Sequence, residues 1–182
     1  MFTDWHDFYL LLGPAAAGLI GLLFVVASLT TNIERSKALK GAKVYISPVV
    51  FHLAVLVMVS GLCMFPDTPP ALVGIVSLAA GLIGLAYGVY VCCMMMAGTV
   101  ETFGIDIVRY GVAVSTLYAG MAMAGVLVLK RVAYAPHVLA LDLLAMFLLM
   151  IHNAWDLVVW ITPRKPDSEG DPPTDAAPPA AP

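Results

Sequence analysis

The residues with the most scope for chemistry lie in the last long apolar segment of the chain: Asp142, His152, Asn153 and Asp156. A charged or strongly polar side chain is costly inside a membrane, so such residues usually face the interior of a helix bundle and mark a functional site. The spacing of Asp142, Asn153 and Asp156 predicts that they share one face of a helix. His152 and Asp156 are four positions apart, close enough on a helix for their side chains to pair.

His52 is a second intramembrane histidine, and its apolar segment places it at a depth similar to that of His152. Two hypotheses follow. In the first, the two histidines are axial ligands of a b-type haem, and Asp156 orients His152. In the second, Asp142, His152 and Asp156 line a pathway for protons or ions. The simpler interpretation is that the histidines are hydrogen-bond partners between helices, and that Asp142 pairs with Lys130 or Arg131 at the membrane surface.

A run of sulfur-containing side chains is the third candidate site: Cys92, Cys93, Met94, Met95 and Met96. Thiolate and thioether ligands suit Cu(I). Consecutive residues of a helix point all round its axis, however, so ordinary packing is the favoured interpretation. No metal is assigned, and no serine-hydrolase, zinc-protease, P-loop or dinucleotide motif is present. We expect no enzymatic activity and no bound cofactor.

The composition predicts that these residues are positioned by helices in a lipid bilayer. Apolar residues make up 61% of the 182-residue chain and charged residues 12%, against roughly 45–50% and 25% in soluble domains. A chain this short buries too little of its surface to hide so much apolar area from water. The net charge of −3 and the absence of a long basic run exclude nucleic acid as a partner.

The apolar runs predict an all-α polytopic bundle of five spanning helices, because each run is long enough to supply the roughly 20 residues that cross a bilayer. The predicted spans are residues 8–29, 44–65, 71–96, 107–129 and 138–161. Trp5 and Tyr9 are expected to form an interfacial belt, and Ser47 and Pro48 to begin the regular second helix. Pro14 marks either a kink or the start of the first helix. Residues 162–182, rich in proline, alanine and acidic side chains, predict a disordered tail.

The distribution of basic residues predicts the orientation of the bundle. With five spans and the N-terminus outside, seven lysines and arginines fall on the cytoplasmic side and two, Lys130 and Arg131, fall outside. Because cytoplasmic loops are enriched in these residues, we expect an N-out, C-in protein of a bacterial inner membrane. The basic segment 33–43 is expected to be a cytoplasmic loop.

Small residues at four-residue spacing predict how the helices associate. In a bilayer the lipid acyl chains are as apolar as the helices, so burial of apolar surface does not drive association, and close backbone packing does. Such ridges occur in the first, third and fourth predicted helices. They consist of Gly13, Ala17 and Gly21, of Ala80, Gly84 and Gly88, and of Gly111, Ser115 and Ala119. Three ridges indicate close packing, within one chain or between copies.

The first 70 or so residues resemble a broad group of small bacterial multi-spanning membrane proteins. The likeness lies in the aromatic lead-in at residues 5–9 (Trp-His-Asp-Phe-Tyr), the Gly/Ala-rich run 13–21, and the segment 59–66 (Val-Ser-Gly-Leu-Cys-Met-Phe-Pro). Some members are labelled modulator of FtsH protease. The resemblance implies a small multi-spanning protein and transfers no functional residue.

Together these features predict a non-enzymatic interaction or regulatory subunit. It would act through helix–helix contacts in the bilayer, with a second copy of itself or with a larger membrane complex. The alternative is a small transporter or channel that uses the polar face of the fifth helix. The third candidate function is a membrane protein that binds a b-type haem or a metal.

Overall fold

The computed structural model describes residues 1–29, 35–96 and 111–161, and they are helical apart from short turns. The five α-helices, in chain order, are α1 (His6–Leu29), α2 (Arg35–Met64), α3 (Pro70–Met96), α4 (Val114–Leu129) and α5 (Ala135–Ile161). A 3-10 turn at Thr3–Trp5 precedes α1. No strand occurs in the described ranges, which confirms the all-α prediction. The predicted tail, 162–182, lies outside the described residues.

Within the described residues, four helices are long and apolar enough to cross a membrane: α1, α3, α5, and α4 with the π-helical turn that precedes it. This fits an integral membrane protein. The apolar part of α2, Pro48–Met64, is shorter than these four. Length and composition therefore give four candidate spans, where the sequence predicted five.

Helix α2 starts earlier than the sequence predicted. The basic segment was expected to be a loop until residue 43, but the backbone is helical from Arg35 onward and Pro48 lies inside the helix. Alanine, leucine, lysine and arginine in this segment are good helix formers, which accounts for the extension. Ser47 and Pro48 therefore do not begin a helix. Pro14 also lies inside its helix, which excludes it as the start of α1.

The helices are arranged as two antiparallel hairpins and a fifth helix. The most extensive packing joins α3 to α4, followed by α1 to α2. Helix α5 contacts α1, α2 and α4, whereas α2 and α3 touch each other only sparsely. The last helix therefore holds the two hairpins together.

Glycines bring the backbones of α3 and α4 into direct contact. A Cβ added at Gly81 would lie 2.5 Å from the backbone nitrogen of Ala122, and one at Gly125 would lie 2.6 Å from that of Leu78. At Gly84 the added atom would overlap the ring of Tyr118. Because no Cβ fits at these positions, the interface depends on glycine, as close packing of membrane helices does in general.

The predicted ridges on the third and fourth helices fall partly in this interface. Gly84 and Gly88 are buried against α4, Ser115 lies opposite Gly88, and Gly111 lies opposite Cys92. Ala80 is half-buried, but Ala119 is exposed. The side chains that α4 places against the glycines of α3 are those of Ser115, Tyr118, Ala122 and Leu129.

The ridge on α1 is used differently. Gly13 is buried, and an added Cβ there would lie 3.2 Å from the Cβ of Ser60 on α2. Ala17 and Gly21 are exposed, and nothing lies within 4 Å of a Cβ added at Gly18 or Gly21. Relative to the described residues, Ala17, Gly18 and Gly21 therefore face outward, whereas Ala16 is buried.

The turn between α4 and α5 is a Schellman motif closed by an arginine. The amide of Val132 donates to the carbonyl of Leu127 at 3.1 Å, and that of Arg131 donates to Val128 at 3.0 Å. This places Arg131 at a φ of 53°, in the left-handed region. Glycine is the usual residue there because a Cβ is strained in that conformation.

Gly81→Ala is expected to destabilise the bundle by roughly 1–3 kcal/mol, because the new methyl group meets backbone that cannot move aside. Gly18→Ala is the matched control in open space, and it should be neutral or stabilise by up to about 1 kcal/mol through helix propensity. Unfolding in detergent micelles with increasing SDS measures both. Equal effects of the two substitutions would contradict the packing described for α3 and α4.

Arg131→Gly is expected to stabilise the folded state by roughly 0.5–1 kcal/mol, since it removes the left-handed strain at an exposed position. Arg131→Ala keeps the Cβ and should bring no gain. The same unfolding assay compares the two variants, and a gain for alanine equal to that for glycine would refute strain as the cause.

Candidate functional site

The structure separates the five polar residues singled out from the sequence. His52 and Asn153 are buried, Asp142 and Asp156 are half-buried, and His152 is exposed. Asp142 and Asn153 thus lie toward the bundle as predicted, while Asp156 lies at its edge. Two groupings result, one around His52 in the interior and one around His152 at the surface.

The interior grouping centres on a hydrogen bond between α2 and α4. Nδ1 of His52 lies 2.7 Å from the hydroxyl of Tyr118, and His52 is only 3% exposed. The tautomer of the imidazole decides whether the tyrosine hydroxyl or Nδ1 donates in this bond. This bond ties the α1–α2 hairpin to the α3–α4 hairpin.

Aromatic rings surround the imidazole. The ring centroid of His52 lies 5.3 Å from Tyr118, 5.7 Å from Phe51 and 6.2 Å from Tyr87. The tyrosine on α4 is fully buried, whereas Phe51 is 43% and Tyr87 is 36% exposed. The cluster therefore reaches from the core to the exposed side of the bundle between α2 and α3.

Asp142 enters the bundle from α5 against a glycine of α4. A Cβ added at Gly120 would overlap Oδ1 of Asp142, so a larger residue there would displace the carboxyl group. Oδ2 is buried and has no hydrogen-bond partner among the described residues. Lys130 and Arg131 are exposed, and the described part of the chain shows no ion pair between them and Asp142. The proposed surface pairing of Asp142 is thus not seen.

The surface grouping is the predicted pair on α5. Nε2 of His152 lies 3.4 Å from Oδ2 of Asp156, and the histidine side chain is 48% exposed. His52 instead is buried and bonded to Tyr118. The two imidazoles therefore have different partners and different exposure, and only His52 lies in the core.

The sulfur-containing run at the end of α3 does not converge on one point. The thiol of Cys92 lies 4.0 Å from the sulfur of Met96, and Cys93 and Met94 are exposed. The side chain of Met95 lies outside the described residues. Across the described ranges no group of three or more His, Cys, Asp or Glu side chains is arranged to hold a metal ion.

Sequence reasoning missed the tyrosines. Tyr118 was not singled out, although a large aromatic side chain among the small residues of α4 is a signal that it fills space opposite a glycine. Tyr9 was assigned to an interfacial belt, but it is fully buried and lies beside the thiol of Cys63. That assignment is wrong because one face of α1 packs against α2 at this level, which removes Tyr9 from the interface.

Tyr118→Phe and His52→Leu should each destabilise the bundle by roughly 0.5–2 kcal/mol, because each leaves a buried polar group without a partner. The double variant should lose less than the sum, with a coupling energy of at least about 0.5 kcal/mol. SDS unfolding in micelles gives all values, and Tyr134→Phe is the exposed-tyrosine control. Strictly additive losses would show that the two residues do not interact.

Comparison with family models, with curated proteins and with solved structures finds no match to this chain. The resemblance of the first 70 or so residues to small bacterial multi-spanning proteins therefore stays a prediction. What the chain does must be argued from its own geometry: a buried histidine–tyrosine pair, a carboxylate enclosed against glycine, and an outward face of small residues on α1.

Proposed function

We propose that this protein is a non-enzymatic interaction or regulatory subunit of a bacterial inner membrane, which associates with other helices through the outward face of α1. In this proposal the chain crosses the bilayer five times, with its N-terminus outside and its C-terminus in the cytoplasm. Its partner is a second copy of the chain or a larger membrane complex. The proposal rests on helix packing and not on any catalytic group.

The topology is supported by the hairpin arrangement. The apolar part of α2, Pro48–Met64, lies at the short end of the roughly 17–25 residues that span a bilayer. It packs along α1, which has the full length of a span. A hairpin with one spanning helix brings its second helix back across the membrane, and the basic first part of α2 then lies on the cytoplasmic side.

The observation that carries the functional proposal is the outward face formed by Ala17, Gly18 and Gly21. Small residues let helix backbones approach closely in lipid, and the glycines on α3 show that this chain uses them in that way. On α1 no described residue covers Gly18 or Gly21. A helix of a partner fits this face in the manner that α4 fits α3.

The second candidate function is a small transporter or channel. One observation favours it: the carboxylate of Asp142 lies inside the bundle with a buried oxygen that has no partner among the described residues. Ionisable groups placed in this way occur along ion and proton pathways. The rest of the predicted pathway is not assembled, since His152 is exposed and pairs with Asp156 at the surface.

Gly18→Leu with Gly21→Leu should abolish association and leave the fold intact, because both side chains would extend into open space. Native mass spectrometry of protein extracted in mild detergent measures association, and SDS unfolding checks the fold. Wild type should show a mass above the protomer, and the double variant the protomer alone. The matched control, Leu11→Ala with Leu22→Ala, alters exposed residues of the same helix and should keep the larger mass.

A wild-type protein that is monomeric without any partner would overturn the interaction proposal. The transporter candidate then becomes the leading one, and it has its own assay. Proton flux into proteoliposomes should fall at least tenfold in Asp142→Asn if Asp142 lies on the pathway. Equal flux in both proteins would exclude a pathway through Asp142.

A further inference from the structure

The N-terminal segment, residues 1–5, is fastened to the bundle by aromatic contacts at the end where α1 and α5 begin. Phe2 is buried, and its ring lies edge-on to Tyr9 of α1. The ring of Trp5 lies edge-on to Phe8 of α1 and also to His137 of α5. The contact with His137 therefore joins the start of α1 to a helix on which α1 packs less extensively than on α2.

The contact between Trp5 and His137 pairs an indole with a ring that titrates. The two ring centroids are 4.8 Å apart, with planes at 79°. Trp5 is half-buried, whereas His137 is exposed and is the third residue of its candidate span, near the aqueous surface. Histidine is the side chain whose charge ordinarily changes between about pH 5 and 8. The contact can therefore exist with a neutral or with a charged imidazole.

A charged imidazole is attracted to an indole, which is the best aromatic partner for a cation within about 6 Å of the ring centre. Docking of the N-terminal segment responds only to interactions that differ between its docked and undocked states. The partial positive charge at the N-terminus of α5 acts on His137 in both states, so it cancels. The indole of Trp5 acts only in the docked state, and proton uptake by the imidazole therefore favours docking.

The remaining charges at this end of the bundle do not reverse the sign. The carboxylate of Asp4 and the amino group of Met1 move with the segment, and their opposite charges offset each other. Among the described residues no carboxylate forms an ion pair with His137. The other titratable groups belong to α1 or to the interhelical turns and stay in place when the segment undocks: His6, Asp7, Asp67, Lys130, Arg131 and Tyr134.

We propose that the N-terminal segment is a proton-dependent latch: uptake of a proton by His137 tightens the docking of Trp5 on the first turn of α5. At low pH the start of α1 is held against α5, and at high pH the neutral ring contact and the buried Phe2 hold the segment more weakly. In the topology proposed above the latch lies on the outer side of the membrane, and only that placement rests on the proposed function. The latch uses no residue of the outward face of α1, so each proposal fails or stands by itself.

Acrylamide quenching of Trp5 fluorescence tests the latch in the full chain. Trp155→Phe with Trp160→Phe leaves Trp5 as the fluorophore, and the protein is measured in phosphatidylcholine nanodiscs. The bimolecular quenching constant, corrected for the fluorescence lifetime, should fall about twofold between about pH 8 and pH 5. His137→Phe keeps an aromatic ring that takes up no proton, and its quenching constant should be the same at both pH values. A fall of equal size in His137→Phe, or no fall with His137 present, would overturn the latch.

The neighbouring histidine of α1 supplies the matched control. His6→Asn removes the other titratable ring at this end of the bundle and should keep the fall in the quenching constant. Loss of the fall in this variant would assign the response to His6 and overturn the proposal.

A second measurement does not depend on fluorescence. Trp5→Leu, His137→Phe and the double variant are unfolded with SDS in micelles, and neither position lies in the fully buried core. The coupling between the two substitutions, expressed as a ratio of unfolding constants, should be roughly two- to fivefold larger at pH 5 than at pH 8. Equal coupling at both pH values would show that the contact does not respond to the proton.

Discussion

The close approach of α3 and α4 is the constraint on which the rest of the bundle depends. In lipid the two helices gain little from apolar contact alone, so glycine at Gly81, Gly84 and Gly125 is what allows their backbones to meet. The ring of Tyr118 lies over Gly84, and this placement carries its hydroxyl to His52 on the other hairpin. A larger residue at Gly84 would move the tyrosine and break the link between hairpins.

The same residue type has opposite surroundings on two helices of this bundle. His52 is enclosed and its Nδ1 is satisfied by a tyrosine, whereas His152 lies at the surface and meets Asp156. An imidazole costs little in a membrane only where a partner is provided. The first pair therefore contributes to the core, whereas the second lies at the surface of the bundle.

The sequence was sufficient for the helices and for part of their packing. Uninterrupted apolar runs predicted helices near those observed, and the spacing of Gly84 and Gly88 correctly indicated a close contact. It was insufficient to predict the hydrogen bond of Tyr118, because its partner lies on the other hairpin and the contact depends on how the two hairpins pack together. The early start of α2 was also missed, because charge was taken as a sign of a loop although lysine and arginine are good helix formers.

Glycine spacing alone cannot tell which surface a ridge will meet. The ridge of α3 faces inward because α4 covers it, and the ridge of α1 turns outward after Gly13, where Ser60 is its last neighbour on α2. The inward ridge determines whether the chain folds, and the outward ridge remains for a contact with another helix. Folding and association are therefore carried by different glycines of one chain, and a substitution at Gly18 or Gly21 changes association without disturbing the contact between Tyr118 and His52.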